Sequence, residues 1–276
     1  MIKDVVVNLT IGGKRDAAMD FAVSVAEAFA AHLGAIAFAF DPVYPPTVMG
    51  GTLPGLIESQ RRDAEEAAAG AVTRFEEAAR RAGISAESRV LSASLPGAGT
   101  LFGHIARRFD LAVVGQAEPD RVAPEELIIE AALFESGRPL LVVPYIQRAG
   151  LMLDHVMVCW DASRNAARAI GDAMPFLHRA KSVEVVLVAS ERAKSEDIPG
   201  ADIGHHLARH GLTVEVKRIV ADGTDVANTL LSYAADSSAN FLVMGGYGHS
   251  RLREFVLGGA TRGILTSMTL PTLMSH

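Results

Sequence analysis

Two short stretches, Asp110-Leu111-Ala112-Val113-Val114-Gly115 and Asn240-Phe241-Leu242-Val243-Met244-Gly245, carry one pattern: a polar residue, four apolar residues and a glycine. Each follows a helix-length segment and runs into a loop. An apolar run this short, bounded by turn formers, reads as a strand buried on both faces, and such strands belong to parallel sheets covered by helices. A second echo accompanies the first: Arg138-Pro139-Leu140-Leu141-Val142 matches Leu270-Pro271-Thr272-Leu273-Met274.

Working outward, further strands are predicted at Val5-Val6-Val7, Ala35-Ile36-Ala37-Phe38 and Leu140-Leu141-Val142-Val143 in the first half. In the second half they fall at Val156-Met157-Val158, Val185-Val186-Leu187-Val188, Val214-Glu215-Val216 and Pro271-Thr272-Leu273-Met274. Alternation of strands with helical segments is the mark of an α/β fold. A repeat near half the chain is too long for a solenoid and points to tandem duplication of one domain. The predicted domains are 1–147 and 151–276, with the seam at the polar stretch Gln147-Arg148-Ala149-Gly150. The length of 276 residues suits two medium domains.

Composition narrows the function classes. With 49% hydrophobic and 21% charged residues the chain has material for a core and is not a disordered polymer. Lys and Arg number 26 against 32 Asp and Glu, a formal net charge of -6. That balance excludes a general grip on a nucleic-acid backbone, so any bound polyanion is held locally. The single cysteine, Cys159, excludes an intramolecular disulfide and a multi-cysteine metal centre. No signal-peptide pattern opens the chain, and no apolar run approaches the roughly 18 residues of a membrane span. The expectation is a cytoplasmic protein without a membrane or nucleic-acid partner.

One segment breaks the symmetry between the halves. After the second strand, the first half inserts Asp41-Pro42-Val43-Tyr44-Pro45-Pro46 through Gly50-Gly51 and Pro54-Gly55. Proline and glycine forbid regular structure there, so the loop over 42–56 is irregular and leads into a long amphipathic helix, Ile57 to Arg81. Two readings of the loop stand open: cover for the sheet, or a lid or partner-binding element.

The chemistry concentrates after the fourth strand of the second half. Gly245-Gly246-Tyr247-Gly248 leaves the strand, and nine residues later Gly258-Gly259-Ala260-Thr261-Arg262 opens the last helix. Closely spaced glycines let backbone N–H groups face an anion, and a helix N-terminus adds partial positive charge. The chain has neither a phosphate loop of the GxxxxGK[ST] type nor a complete GxGxxG fingerprint. Gly97-Ala98-Gly99-Thr100 is read as a turn and helix start.

The spacing Gly245-x2-Gly248-x9-Gly258, with the run Gly-His-Ser-Arg-Leu-Arg-Glu-Phe from Gly248 to Phe255, resembles the nucleotide-binding signature of the universal stress protein family. The likeness extends over both halves, as in tandem-domain members. It implies two Rossmann-like domains of the adenine-nucleotide alpha-hydrolase-like type, with parallel five-stranded sheets in strand order 3-2-1-4-5 and the last strands of the halves meeting. It also implies ATP or another adenine nucleotide as ligand. Asp161 matches the family's acidic residue at the adenine and ribose end, and Val188 the apolar residue beside the adenine. Gly245 and Gly248 match residues lining ribose and phosphates, and Gly258 and Gly259 donors to the terminal phosphates. The family often has Ser or Thr where Gly259 stands, which leaves Thr261 to supply a hydroxyl. His249 lies in the loop between the glycines, within reach of phosphate or solvated with Ser250, Arg251 and Arg253.

The first half departs from the signature. Asn8-Leu9-Thr10 stands opposite Asp161, later glycines are missing after Gly115, and Glu125, Glu126 and Leu127 fall where phosphate needs N–H donors. Carboxylates there repel phosphate. One site is expected, in the second half. The chain then reads as a pseudo-dimer within one polypeptide, with further pairing into a homodimer open.

Three functions follow as alternatives: an adenine-nucleotide-binding regulatory module of the stress response, a slow ATP hydrolase, and a structural or chaperone-like stress protein that binds no nucleotide. No general base or finger residue is readable, so a non-enzyme is expected, with no catalytic residue assigned. Mg²⁺ is compatible with a bound triphosphate, although one acidic residue defines no metal site. His206 and His210 have the i,i+4 spacing of two metal ligands without a third nearby, so no metal ligands are assigned and a polar helix face is expected. Trp160 is read as packing beside Asp161, with base stacking as the alternative. Arg262 is read as pairing with a carboxylate rather than phosphate.

Overall fold

A computed structural model of the chain describes residues 1–13, 15–41, 54–118, 124–189, 201–221, 225–246 and 259–276. Contacts divide the chain into two compact units, Ile2–Arg138 and Pro139–His276. The loop expected over 42–56 falls outside the described residues from 42 to 53.

The first unit runs β1 (Asp4–Asn8), α1 (Ala17–Phe29), β2 (His32–Phe40), α2 (Pro54–Ala82), β3 (Ala86–Ala93), α3 (Leu95–Ala106), β4 (Leu111–Gly115) and α4 (Glu125–Glu135). Its strands lie parallel in the order β3-β2-β1-β4. Val5, Val6 and Val7 of β1 and Leu111 to Val114 of β4 are fully buried, which is why those strands read as unbroken apolar runs. β3 lies at the sheet's edge with only exposed and half-buried residues, so its Glu, Ser and Arg gave no apolar run to read. α2 begins three residues before the expected start.

The second unit runs β5 (Leu140–Val143), β6 (His155–Cys159), α5 (Arg164–Leu177), β7 (Ser182–Ala189), α6 (Ala201–Arg209), β8 (Val214–Val220), α7 (Val226–Asp236), β9 (Phe241–Gly245), α8 (Gly259–Ser267) and β10 (Thr272–Ser275). Its strand order is β5-β10-β9-β6-β7-β8. Strands β6 to β10 are parallel and, counted within their half, follow the order 3-2-1-4-5. β5 joins them antiparallel, with Leu141 opposite Leu273. The last strands of the two halves therefore pair, and β5 covers the backbone edge that β10 otherwise leaves open. This pairing carries β5 into the second unit, so the contact boundary falls at Arg138–Pro139, ahead of the polar stretch at 147–150.

α5 is built for its place. Ser163 caps its N-terminus by accepting from the Ala166 N–H, and Ala166, Ala169, Ile170, Ala173, Phe176 and Leu177 recur at helical spacing on the buried side. The Phe176 ring stacks on Phe241 of β9 with centroids 5.1 Å apart, which fixes the helix against that strand.

The glycines of α3 have a packing role. A Cβ at Gly99 would stand 2.8 Å from the Leu127 carbonyl oxygen, and one at Gly103 would stand 3.0 Å from that of Ala131. The pair lets α3 and α4 approach backbone to backbone, while Ser94 caps α3 from the Gly97 N–H. Gly97 to Thr100, read as a turn and N-cap ahead of a helix, instead lie within α3, because Ser94 supplies the cap and the helix starts at Leu95. Gly171, exposed in α5, has nothing within 4 Å of a built Cβ. The expected outcome in urea unfolding is a loss of about 2 kcal/mol for Gly99→Val and a gain of roughly 0.5 to 1 kcal/mol for Gly171→Ala. Equal effects of the two would contradict the packing account.

Candidate functional site

In the second unit β6 lies between β7 and β9. The chain leaves β6 toward β7 on one side and returns through β9 on the other, so the carboxyl ends of β6 and β9 form a topological switch point, where open α/β sheets bind ligands. Three candidate residues meet here: Asp161 in the turn after β6, Val188 near the end of β7 and Gly245 at the end of β9. β9 and β10 are parallel neighbours, so α8, their crossover, begins at the same end of the sheet with Gly259.

The Asp161 turn is tightly specified. Trp160 donates its backbone N–H to Val186 O at 2.9 Å, extending the ladder one residue past β6. Asp161 Oδ1 then accepts from the Ser163 N–H at 2.9 Å, closing a local turn just before α5. Between them Ala162 has φ of 60°, a left-handed conformation that costs a non-glycine residue about 1 kcal/mol. Asp161 is exposed and Trp160 half-buried. The half-buried thiol of Cys159 is pushed up to about 12, first by desolvation and then by the negative charge of Asp161. A thiol that stays protonated makes a poor nucleophile.

Gly245 is glycine for a steric reason: an added Cβ would meet Ala166 N at 2.6 Å and the Asn165 carbonyl carbon at 2.7 Å. The first residues of α5 therefore press on the end of β9. At α8, Gly259 is exposed with open space where a Cβ would lie, whereas Thr261 is buried at 4% exposure. Val188 is half-buried and Arg262 exposed. Gly248, His249 and Gly258 lie outside the described residues, as do Ser250, Arg251 and Arg253.

Two residues at this edge carry no signal in the glycine spacing. Asn165, 3% exposed, donates from Nδ2 to Gly246 O at 2.6 Å, and the same nitrogen stands 2.9 Å from His276 Nδ1. The place of Asn165 two residues after the capping serine was the one available clue.

At the opposite ends of β6 and β7, Tyr233 donates its hydroxyl to Glu184 at 2.7 Å, and His155 Nε2 stands 3.3 Å from the other oxygen of the same carboxylate. Desolvation, then the bond to Glu184, pushes Tyr233 up to about 12. This cluster ties α7 to the sheet far from the switch point. The rings of His206 and His210 meet edge to face at 4.7 Å, and among the described residues no group of three His, Cys, Asp or Glu side chains is placed to hold a metal.

The first unit fills the equivalent edge with its own groups. Leu9 N–H donates to Ile36 O at 2.8 Å, as Trp160 does to Val186, so Thr10 stands where Asp161 stands. Asp16, the cap of α1, spends both carboxylate oxygens on backbone: Oδ2 accepts from Thr10 N–H at 2.7 Å and Oδ1 from Met19 N–H at 2.9 Å. Asn8 and Gln116 are buried at the ends of β1 and β4, and Glu125 is buried at the first position of α4.

The fold and this edge define a class: a doubly wound α/β protein with a topological switch point at the carboxyl ends of its strands. Residues 152–276 match the model of the universal stress protein family. A curated relative, universal stress protein Slr1230 of Synechocystis sp., is 31% identical over 67 residues, which is 24% of this chain and 22% of that protein's length. Two solved structures share the fold over both units at 14% identity. The universal stress protein of Archaeoglobus fulgidus DSM 4304 has a TM-score of 0.71, covering 98% of this chain and 97% of its own. A functionally unknown protein of Pseudomonas aeruginosa PAO1 has a TM-score of 0.64, covering 99% and 92%. Among the described residues, no helix is long and apolar enough to cross a membrane.

Burial raises the Asp16 carboxyl from 3.8 to about 6, against the opposing pull of the backbone amides of Met19, Thr10 and Ala18. The folded unit then holds this proton more tightly than the unfolded chain. The contribution of Asp16 to stability is greatest below about pH 4, falls as pH rises to about 6, and is flat above. Asparagine caps helices as well as aspartate does but does not titrate. Between pH 4 and pH 7 the stability of Asp16→Asn relative to wild type is expected to rise by about 3 kcal/mol at most. Hydrogen exchange in peptides covering α1 measures it, and a difference independent of pH would show that Asp16 stays ionised throughout.

Proposed function

We propose that the second unit binds an adenine nucleotide, ATP in the first instance, at the switch point between β6 and β9, and that binding serves regulation in a stress response. The observation that carries this reading is the convergence of Asp161, Val188 and Gly245 on three neighbouring strand ends, at the end of the sheet where α8 starts. An exposed carboxylate suits the hydroxyls of a ribose, a half-buried valine suits the face of a base, and an open glycine at a helix N-terminus suits phosphate. Gly259 offers an N–H without a hydroxyl, and the burial of Thr261 leaves backbone groups as the main phosphate donors. Mg²⁺ would enter with the triphosphate, held chiefly by phosphate oxygens and water.

Regulation is favoured over hydrolysis because the described edge supplies no base to activate water. Asp161 is engaged with its own turn, and Cys159 is held protonated. A ligand acts in such a module by binding one conformation better than another.

Calorimetric titration with ATP tests the reading. Wild type is expected to bind, and Asp161→Ala to bind about tenfold more weakly or worse, since a hydrogen bond to a charged group is lost. Phosphate release is expected to stay at background for both. Absence of ATP binding by wild type overturns the proposal, and steady phosphate release that disappears in Asp161→Ala favours the hydrolase.

A further inference from the structure

We propose that Asn165 is the positioning residue of this site, the side chain that sets where the glycine-bearing chain leaves β9 relative to the Asp161 turn. The inference rests on the nucleotide-binding reading above and extends it to a residue outside the glycine signature.

Three chain segments meet at its amide. Asn165 is the second residue of α5, four positions after Asp161, so its backbone moves with the Asp161 turn. Its Nδ2 donates to Gly246 O at 2.6 Å, at the first residue beyond β9. The same nitrogen lies 2.9 Å from Nδ1 of His276, the residue after β10, and Gly246 N–H in turn donates to Ser275 O at 2.8 Å. Gly246 is thus held from two sides: its carbonyl accepts from Asn165 of α5 and lies 3.2 Å from His276 Nδ1, and its amide donates to β10.

The neighbouring contacts leave little slack. The tight seat of Gly245 on Ala166 and Asn165 lets the strand end approach α5, and the Asn165 amide fixes the following peptide in place. An –NH₂ group has two hydrogens, one for the Gly246 carbonyl and one for an accepting imidazole nitrogen. A side chain that cannot donate would leave the buried Gly246 carbonyl with only the longer contact to His276 Nδ1, at 3.2 Å, and the peptide would lose its tie to α5. Displacement of the strand exit by about 1 Å is enough to misalign groups that must meet one ligand together. Asn165 therefore acts through the backbone and touches no nucleotide itself.

The test compares ATP binding by wild type, Asn165→Ala and Asn165→Asp from pH 5 to pH 8, with thermal unfolding of each. Asn165→Ala is expected to lose roughly tenfold in affinity. Asn165→Asp is expected to bind as weakly as the alanine variant at pH 8, where its carboxylate cannot donate, and to recover relative to alanine as pH falls and the protonated acid offers an O–H to Gly246. A role in packing alone gives no such pH-dependent recovery. His276→Ala, at an exposed position, removes one contact of the amide and is expected to lose about threefold without a change in unfolding midpoint. It carries the test if either Asn165 variant fails to fold. If wild type binds ATP and the folded variants match it at every pH, the positioning role is wrong while the site stands. If wild type binds no nucleotide, both fall.

Discussion

The constraint on which this molecule turns is the place of β6 between β7 and β9. A strand whose neighbours are reached in opposite directions cannot have its carboxyl end closed by a single crossover, so a crevice opens where the two paths diverge. The rest of the second unit is arranged around that crevice. Phe176 on Phe241 holds α5 against β9, and the bare backbone of Gly245 accepts the start of that helix at a distance no side chain tolerates. The turn at Asp161 is wound through a left-handed alanine, and the local strain persists because the ladder before it and the capped helix after it leave no other path.

Duplication produced two such edges, and the halves have used them differently. In the second unit the edge is lined by an exposed carboxylate and glycines. In the first, the capping carboxylate of Asp16 folds onto the Thr10 amide, buried amides stand at the ends of β1 and β4, and Glu125 is buried at the start of α4. The Asp16 carboxylate, which a ligand would have to displace, is already bonded to backbone amides of the chain. This arrangement keeps the fold and fills the edge with the chain's own side chains. Within the second unit the pairing of β5 with β10 closes an edge of the sheet.

Much of the fold was legible because strands buried on both faces must be continuously apolar. Val5 to Val7, Leu111 to Val114 and Phe241 to Met244 announce themselves in that way, and their recurrence announces the duplication. β3 stayed hidden because an edge strand half in water is under no such demand, and Arg89 and Glu87 sit in it without penalty. At the site, glycine spacing pointed to Gly245 and Gly259 through their backbone chemistry, and strand order brought Asp161 and Val188 to the same edge. Asn165 and His276 were not legible: their importance lies in a bond between residues 111 positions apart, which no local pattern encodes. The raised carboxyl of Asp16 was equally invisible, since burial and not residue type sets it.

The central claim is that two similar domains provide one nucleotide site. Native mass spectrometry of the intact chain with saturating ATP and Mg²⁺ counts bound nucleotides directly. One nucleotide per chain is predicted; two per chain would show that the first unit's edge is open after all, and none would show that the second unit's edge is not a nucleotide site.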